Sequence, residues 1–259
     1  MSNEIQKEVL TKTRVVYQKA EVARVTTRKD IEYKPSLTMD VYYPPFDRTC
    51  PAVIIAAGYP DPGYQKMLGC KFKESGSSVS WAQLIAASGI ISIAYTNNEP
   101  VQDFHALLDF IHQHSKELKI DANKIGLWAS SGNVPLALSA LISRTDLKCA
   151  ALLYGYMMDP KVAEMAKMFG FVNPVADKSL DELPKSLPMF IARAGQDQTP
   201  YLNEVLDRFI HDALDRNLQI TIANHATGPH AFDLFDDSDT TRAIIQQVLN
   251  FLKLELGVT

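Results

Sequence analysis

The sequence predicts an α/β fold built on a mostly parallel, twisted sheet of eight strands with helices on both faces. Short apolar or β-branched segments alternate along the chain with longer segments of helical periodicity. The later short segments are apolar throughout, which is typical of parallel strands covered on both faces. With 259 residues, 46% of them hydrophobic, the chain is long enough for one large core. No repeat or composition break marks a second domain, so we predict a single domain over residues 1–259.

Two segments predict an antiparallel edge at the N-terminal end of the sheet. Residues 37–44 (LTMDVYYP) alternate like a half-exposed strand, and residues 14–18 (RVVYQ) contain two β-branched valines. Further strands are predicted at residues 52–57, 90–95, 124–129, 149–154, 188–194 and 219–224. Helices are predicted at residues 80–88, 100–116, 131–143, 201–215 and 240–256.

Two segments interrupt this alternation. Residues 59–80 are rich in glycine and proline and predict a long loop after the third strand, either functional or simply exposed. Residues 157–187 predict a small helical insertion rich in methionine and phenylalanine. Its apolar side chains fit either a helix packed on the sheet or a lid that lines an adaptable pocket.

Charge and cysteine content indicate which partners and which compartment to expect. The net charge is -4, from 26 basic and 30 acidic residues mixed along the length, so neither nucleic acid nor an anionic membrane is an expected partner. The three cysteines lack metal-ligand spacing and are expected to be reduced thiols. The first residues do not resemble a signal peptide, and no apolar run is long enough to span a bilayer. We therefore expect a soluble, cytoplasmic protein.

Polar side chains follow three of the predicted parallel strands at their carboxyl ends, where ligands bind in such sheets. Ser130 and Ser131 follow the fifth strand, Asp197 follows the seventh, and His225 and His230 follow the eighth. The order is serine, aspartate, histidine, each on a separate loop at the same edge of the sheet. This arrangement predicts a nucleophile, an orienting acid and a general base.

The chain from about Leu37 to its C-terminus resembles the α/β-hydrolase family, especially its dienelactone-hydrolase and small-esterase branch. The segments that carry this resemblance are LTMDVYYPP with PAVIIAAGYP, WAQLIAASGIISIAYTN, the stretch ending in KIGLWASSGN, IARAGQDQTP and GPHAFDLF. The resemblance implies the α/β-hydrolase fold and a nucleophile on a sharp turn between strand and helix. Dimerisation is common in this family, so a homodimer is compatible with the resemblance.

The nucleophile turn favours Ser131 over Ser130. Its strained backbone needs small residues two positions before and two positions after the nucleophile. For Ser131 these are Ala129 and Asn133, whereas Ser130 would place the bulky Trp128 in the first position. Either serine could instead cap the following helix.

His230 is the predicted base because the family has a histidine followed by a small residue and phenylalanine, as in GPHAF. His225 is the rival, closer to the strand end and without that context. Asp197 is the predicted acid that orients the imidazole. Asp159, after the sixth strand, is the alternative because some family members place the acid there.

The oxyanion site is expected to consist of two backbone N–H groups, those of Gly132 and Tyr59. The chain departs from the family at Ala57, where histidine is frequent, and at Asn133, where glycine is usual. Ala129 is a third departure from the usual elbow.

These features together predict a serine hydrolase that cleaves a carboxylic ester or related small acyl compound through an acyl-enzyme. No organic cofactor is required. No metal is expected either, because the three histidines of the helix predicted at residues 100–116 lack acidic partners at metal-ligand spacing; they are His105, His112 and His114. The three departures motivate an alternative, a catalytically inactive scaffold for ligand or protein binding. An acyl-peptide or dipeptide hydrolase ranks lower, because such relatives usually carry a β-propeller domain and the N-terminal arm is too short for one.

Overall fold

The computed structural model describes residues 11–258, which form one eight-stranded sheet. The strands are β1 (Thr26–Lys34), β2 (Leu37–Tyr43), β3 (Cys50–Ile55), β4 (Ile91–Tyr95), β5 (Ile120–Ser130), β6 (Leu147–Leu153), β7 (Met189–Ala194) and β8 (Ile220–His225). Their order in the sheet is β1-β2-β4-β3-β5-β6-β7-β8. β1 and β2 pair antiparallel with their neighbours, and the strands from β3 to β8 run parallel. The predicted sheet, including its antiparallel N-terminal edge, is confirmed.

Helices lie between the successive parallel strands and after the last of them. They are α1 (Asp61–Leu68), α2 (Gly76–Ala87), α3 (Pro100–Gln113), α4 (Val134–Ser143), α5 (Val162–Phe169), α6 (Leu202–Asp215), α7 (Phe232–Phe235) and α8 (Asp239–Glu255). Short 3-10 helices lie at Ala20–Arg24, Phe72–Glu74, Ser131–Asn133 and Leu180–Glu182. Within residues 11–258, none of the helices has the length and apolar character needed to cross a bilayer.

Both faces of the central sheet are covered. Adjacent residues of a strand point to opposite faces, and in β3 both Val53 and Ile54 have no exposed surface. The same holds for Ala151 and Leu152 in β6. This two-sided burial explains why the central strands are apolar throughout in the sequence.

The predicted strand at residues 14–18 is wrong. This segment lies against α2 without joining the sheet: the Val15 N–H donates to the Ser80 hydroxyl at 3.0 Å, and the Val16 N–H donates to the Asp233 carbonyl at 2.9 Å. Val15 is nearly fully buried. Its β-branched character therefore reflects burial against a helix rather than strand pairing.

The first strand of the sheet is β1, which the sequence analysis missed. Its residues, TTRKDIEYK, are mostly charged or polar because it is an edge strand with one solvent-exposed side. The pairing with β2 shifts register between Arg28 and Ile31, and Asp30 there has φ 55. This irregularity hides the period of two by which a strand is recognised.

The predicted long loop at residues 59–80 instead contains α1, the 3-10 helix at Phe72–Glu74 and the start of α2. Pro62 lies in the first turn of α1, and Gly69, with φ 87, ends it, so the proline and the glycine are helix boundaries. The buried Asp61 carboxylate accepts the N–H groups of Phe72 at 2.7 Å and Asn97 at 2.9 Å. These bonds fix the segment beside the end of β4.

The segment at residues 157–187 contains α5 and the 3-10 helix Leu180–Glu182, as a helical insertion between β6 and β7. One side of α5 is buried through Met165, while Met168 remains 67% exposed. The buried side joins an apolar cluster separate from the main core, and this cluster lies beside the candidate site.

Candidate active site

The turn that follows β5 places Ser131 in a strained conformation. Ser130 is extended, with φ -136, whereas Ser131 has φ 51 and begins the 3-10 helix that leads into α4. A residue other than glycine in the left-handed region is uncommon and costs free energy. The change from strand to helix therefore falls at Ser131, and its Oγ lies 3.1 Å from His230 Nε2.

The other ring nitrogen of His230 meets Asp197. Nδ1 lies 2.6 Å from the Asp197 Oδ2, and the second oxygen of that carboxylate accepts the Thr199 N–H at 2.8 Å. The Asp197 side chain is fully buried, while about a third of the His230 side chain is exposed. Burial acts to raise the pKa of Asp197, but the hydrogen bonds from His230 and Thr199 outweigh it, so this pKa lies below its ordinary value. Asp197 is thus held as an anion against the imidazole.

A buried polar cluster that the sequence analysis missed supports the histidine loop. Three residues after His230, Asp233 has no exposed surface and accepts hydrogen bonds from the Tyr154 hydroxyl at 2.5 Å and Trp81 Nε1 at 2.7 Å. The Tyr154 ring packs edge-on against the imidazole of His230, with centroids 5.1 Å apart. Burial raises the pKa of Asp233, although both hydrogen bonds oppose the shift. A charged residue inside the otherwise apolar segment AFDLF was the only sequence signal for this cluster.

The rival candidates have other partners. His225 is buried, with Nε2 lying 2.8 Å from an Asp236 carboxylate oxygen and 2.9 Å from the Thr241 hydroxyl. Asp159 forms an ion pair with Arg208. Neither residue therefore joins the contact line that runs from Ser131 through the imidazole to the carboxylate.

The two predicted oxyanion donors lie on backbone segments in direct contact. A Cβ atom built on Gly58 would lie 2.8 Å from the Gly132 carbonyl oxygen. One built on Gly132 would lie 2.4 Å from the Tyr59 hydroxyl and 2.6 Å from Phe171 Cδ1. Gly132 is the second residue of the 3-10 helix, where N–H groups have no partner within the helix. Glycine at both positions is what allows the two segments to approach this closely.

An apolar cluster, here called the cover cluster, lies over this contact. Its members are Tyr156, Val162, Met165, Ala166, Phe171, Leu202 and Val205, with the partly buried Tyr59 packed against them. Phe171 stacks on Tyr156 with centroids 5.1 Å apart and meets Tyr59 edge-on at 5.8 Å. The Tyr156 hydroxyl is buried without a hydrogen-bond partner among residues 11–258, and burial raises its pKa to about 12. The cover cluster therefore forms an aromatic wall at the turn that carries Ser131.

A surface cavity of about 620 Å³ lies away from these residues. It is lined by residues at the start of β1, the end of β2 and the approach to β5, including Arg28, Tyr43 and Lys119. These positions are at the amino ends of the parallel strands, opposite to the edge that carries Ser131. In the described part of the chain, no group of three or more His, Cys, Asp or Glu residues is arranged to hold a metal ion.

Comparisons with known proteins agree on the architecture. No protein-family model and no curated sequence matches the chain. Among solved structures, one of two fungal esterases from Rhizomucor miehei is similar at 13% identity and TM-score 0.68, over 99% of this chain and 89% of that one. A thermostable carboxylesterase cloned from a metagenomic library is similar at 15% identity and TM-score 0.69, over 98% and 95% of the two chains. A hyperthermophilic esterase from the archaeon Pyrobaculum calidifontis is similar at 16% identity and TM-score 0.68, over 100% and 91%. The chain has the α/β-hydrolase fold, as the sequence predicted.

Proposed function

We propose that this protein is a serine hydrolase that cleaves a carboxylic ester, or a related small acyl compound, through an acyl-enzyme. One observation carries the proposal: the Ser131 Oγ, at a residue with φ 51, lies 3.1 Å from His230 Nε2, whose Nδ1 lies 2.6 Å from the buried carboxylate of Asp197. Three polar side chains in this order form the contact line that nucleophilic acyl transfer requires. That the similar solved structures are esterases supports the same reaction class.

Each side chain has one role in the proposed reaction. His230 Nε2 takes the proton of the Ser131 hydroxyl as Oγ bonds to the ester carbonyl carbon, and it then gives that proton to the departing alcohol. Asp197 keeps the proton of the imidazole on Nδ1 and stabilises the imidazolium. Water then attacks the acyl-enzyme with His230 as base, which releases the acid and restores Ser131. The N–H groups of Tyr59 and Gly132 would stabilise the oxyanion.

The cover cluster limits the proposed substrate to a small, largely neutral acyl group. Phe171 and Tyr59 lie directly over Gly132, so the acyl group must fit beside aromatic side chains. Within the predicted dienelactone-hydrolase and small-esterase branch, we favour the esterase, because the similar structures include carboxylesterases. We expect the substrate to be the main partner, in the cytoplasm, with no nucleic acid or membrane involved.

A fluorophosphonate probe tests the proposal, because it reacts only with an activated serine. The wild type and Ser130→Ala are expected to be labelled and to hydrolyse p-nitrophenyl acetate, and Ser131→Ala is expected to do neither. Labelling of Ser131→Ala at the wild-type rate would assign the nucleophile elsewhere. An unlabelled wild type would favour the inactive scaffold, and hydrolysis of a peptide p-nitroanilide in preference to esters would favour the peptidase.

A further inference from the structure

The peptide that joins Ala57 to Gly58, directly after β3, has both of its polar groups held. The Ala57 carbonyl accepts a hydrogen bond from Asn97 Nδ2 at 3.2 Å. The Gly58 N–H donates to Asn133 Oδ1 at 2.8 Å. Because the peptide unit is planar, these two bonds fix its orientation. The Gly58 N–H is therefore occupied and is not an oxyanion donor.

The next peptide, from Gly58 to Tyr59, is held on one side only. The Gly58 carbonyl accepts the Val172 N–H at 2.9 Å. The peptide is trans, so the Tyr59 N–H points in the opposite direction from that carbonyl. Nothing within residues 11–258 accepts a hydrogen bond from this N–H. It is a free donor whose direction is set by its neighbours.

Asn133 connects this loop to the nucleophile turn. While its Oδ1 accepts from Gly58, its Nδ2 donates to the Ser130 carbonyl at 3.1 Å. The side chain is nearly fully buried, with the residue 4% exposed. One amide therefore joins the residue before the nucleophile to the residue before the predicted donor Tyr59. We call this pair of bonds the Asn133 bridge.

We propose that Asn133 is a positioning residue that sets the place of the Tyr59 N–H relative to the Ser131 Oγ. The proposal rests on the proposed serine hydrolase function and deepens it. A glycine at this position, which the family resemblance would lead one to expect, has no side chain and makes neither bond. The departure at Asn133 then serves the site, because the bridge ties the loop that carries Tyr59 to the turn that carries Ser131.

The expected effect on kcat follows from the stage of the reaction at which the oxyanion contacts form. Such donors bind the charge that develops in the transition state, so their misplacement lowers kcat and leaves KM nearly unchanged. Loss of an oxyanion donor typically costs about 100- to 1000-fold in kcat. A shift of about 1 Å costs on the order of 100-fold. Since Asn133→Ala removes the bridge but leaves the donor and the bonds from Asn97 and Val172 in place, we expect kcat to fall about 30-fold.

The experiment compares Asn133→Ala, Asn133→Gly and the near-isosteric Asn133→Asp with a matched control. Ser92→Ala, on β4, removes a buried hydrogen bond of 2.6 Å to the Ala82 carbonyl, away from the site. Active sites are counted by fluorophosphonate titration, and kcat per active site and KM are measured with p-nitrophenyl acetate. A second readout is inhibition by butylboronic acid, whose tetrahedral serine adduct places an oxygen at the oxyanion position.

The bridge predicts that Asn133→Ala and Asn133→Gly lose kcat with KM within about twofold, and that boronate inhibition weakens in parallel. Asn133→Asp keeps an acceptor for Gly58 but sets a carboxylate oxygen against the Ser130 carbonyl, so it also loses kcat. It remains informative if the smaller variants fail to fold, because its shape is that of asparagine. Ser92→Ala is expected to keep wild-type kcat.

Wild-type kcat in Asn133→Gly, or in Asn133→Asp, would overturn the proposal. So would a loss that appears only as fewer labelled sites, since that is the result of a purely structural role. Failure of the proposed function gives a different pattern: the wild type itself is not labelled, or Ser131→Ala keeps its activity. The wild type and Ser131→Ala therefore test the proposed function, and the Asn133 variants test the bridge.

Discussion

Phe171 is the side chain of the cover cluster whose removal should change which substrates fit. It is 5% exposed and lies where a Cβ on Gly132 would meet its ring at 2.6 Å. Phe171→Ala removes this wall beside the predicted oxyanion site and leaves the contact line of Ser131 intact. We expect the variant to accept longer acyl groups than the wild type.

The magnitude has a stability part and a specificity part. Truncation of a buried phenylalanine costs about 3 kcal/mol or more. The free-energy cost at Phe171 includes the loss of two aromatic contacts, with ring centroids 5.1 Å from Tyr156 and 5.8 Å from Tyr59. At roughly 2–4 °C per kcal/mol for a chain of this size, Tm should fall by roughly 6–12 °C. Each methylene newly buried contributes about 0.8 kcal/mol, so a butyryl group gains up to about 15-fold over an acetyl group.

The assay measures kcat/KM for p-nitrophenyl acetate, butyrate and hexanoate in the wild type and the variant. Met168→Ala is the matched control, because Met168 lies on α5 but is 67% exposed. It should leave both Tm and acyl preference unchanged. If Phe171→Ala and the wild type show the same butyrate-to-acetate ratio at equal counts of active sites, Phe171 does not line the acyl site and the reasoning is refuted.

Three further substitutions have distinct expected outcomes. Asp197→Asn presents the wrong group to His230 Nδ1 and should lower kcat by about 10⁴-fold while the fold is retained, as measured by kinetics and circular dichroism. His225→Asn removes a buried ring with two hydrogen-bond partners, so Tm should fall while kcat per active site stays at the wild-type value. Tyr154→Phe removes a donor from Asp233 and should lower the free energy of unfolding by about 1–3 kcal/mol, because a buried acceptor loses a partner. Because the pKa of Asp233 is raised in the folded state, stability falls as pH rises from its ordinary value of 3.8 through the folded value, and loss of the donor widens that window. Urea unfolding measured over a series of pH values should therefore show a deficit for Tyr154→Phe that is larger above the folded pKa of Asp233 than below it, and a deficit that is the same at every pH would contradict this account.

The sheet was predictable where burial leaves a clear pattern. The central strands are apolar because both faces are covered, and seven of the eight observed strands correspond to predicted segments. The exception is β1, whose polar residues and shifted register follow from its edge position, whereas Val15 in the segment at residues 14–18 is buried against α2. Local composition does not distinguish these two environments, since both depend on contacts with distant parts of the chain.

The candidate site was predictable in its polar side chains and not in its surroundings. Ser131, Asp197 and His230 follow strand ends, and parallel strands bring their carboxyl ends to one edge. The bridge from Asn133 to Gly58 spans 75 positions of sequence, and the sequence showed Asn133 only as a departure from the family's usual glycine. The space that accommodates its side chain arises from the approach of two loops.

The two carboxyl groups near the histidine loop show why only one of them fits the orienting role. Asp197 has its pKa lowered by the imidazole and backbone bonds that oppose its burial, so it is held as an anion beside His230. Asp233 has its pKa raised by complete burial, and its oxygens accept from Tyr154 and Trp81 rather than from the imidazole. Environments that shift two pKa values in opposite directions assign different roles to the same chemical group. In the proposed reaction, the charge that stabilises the imidazolium therefore comes from Asp197, while Asp233 holds the tyrosine ring that packs edge-on against the imidazole.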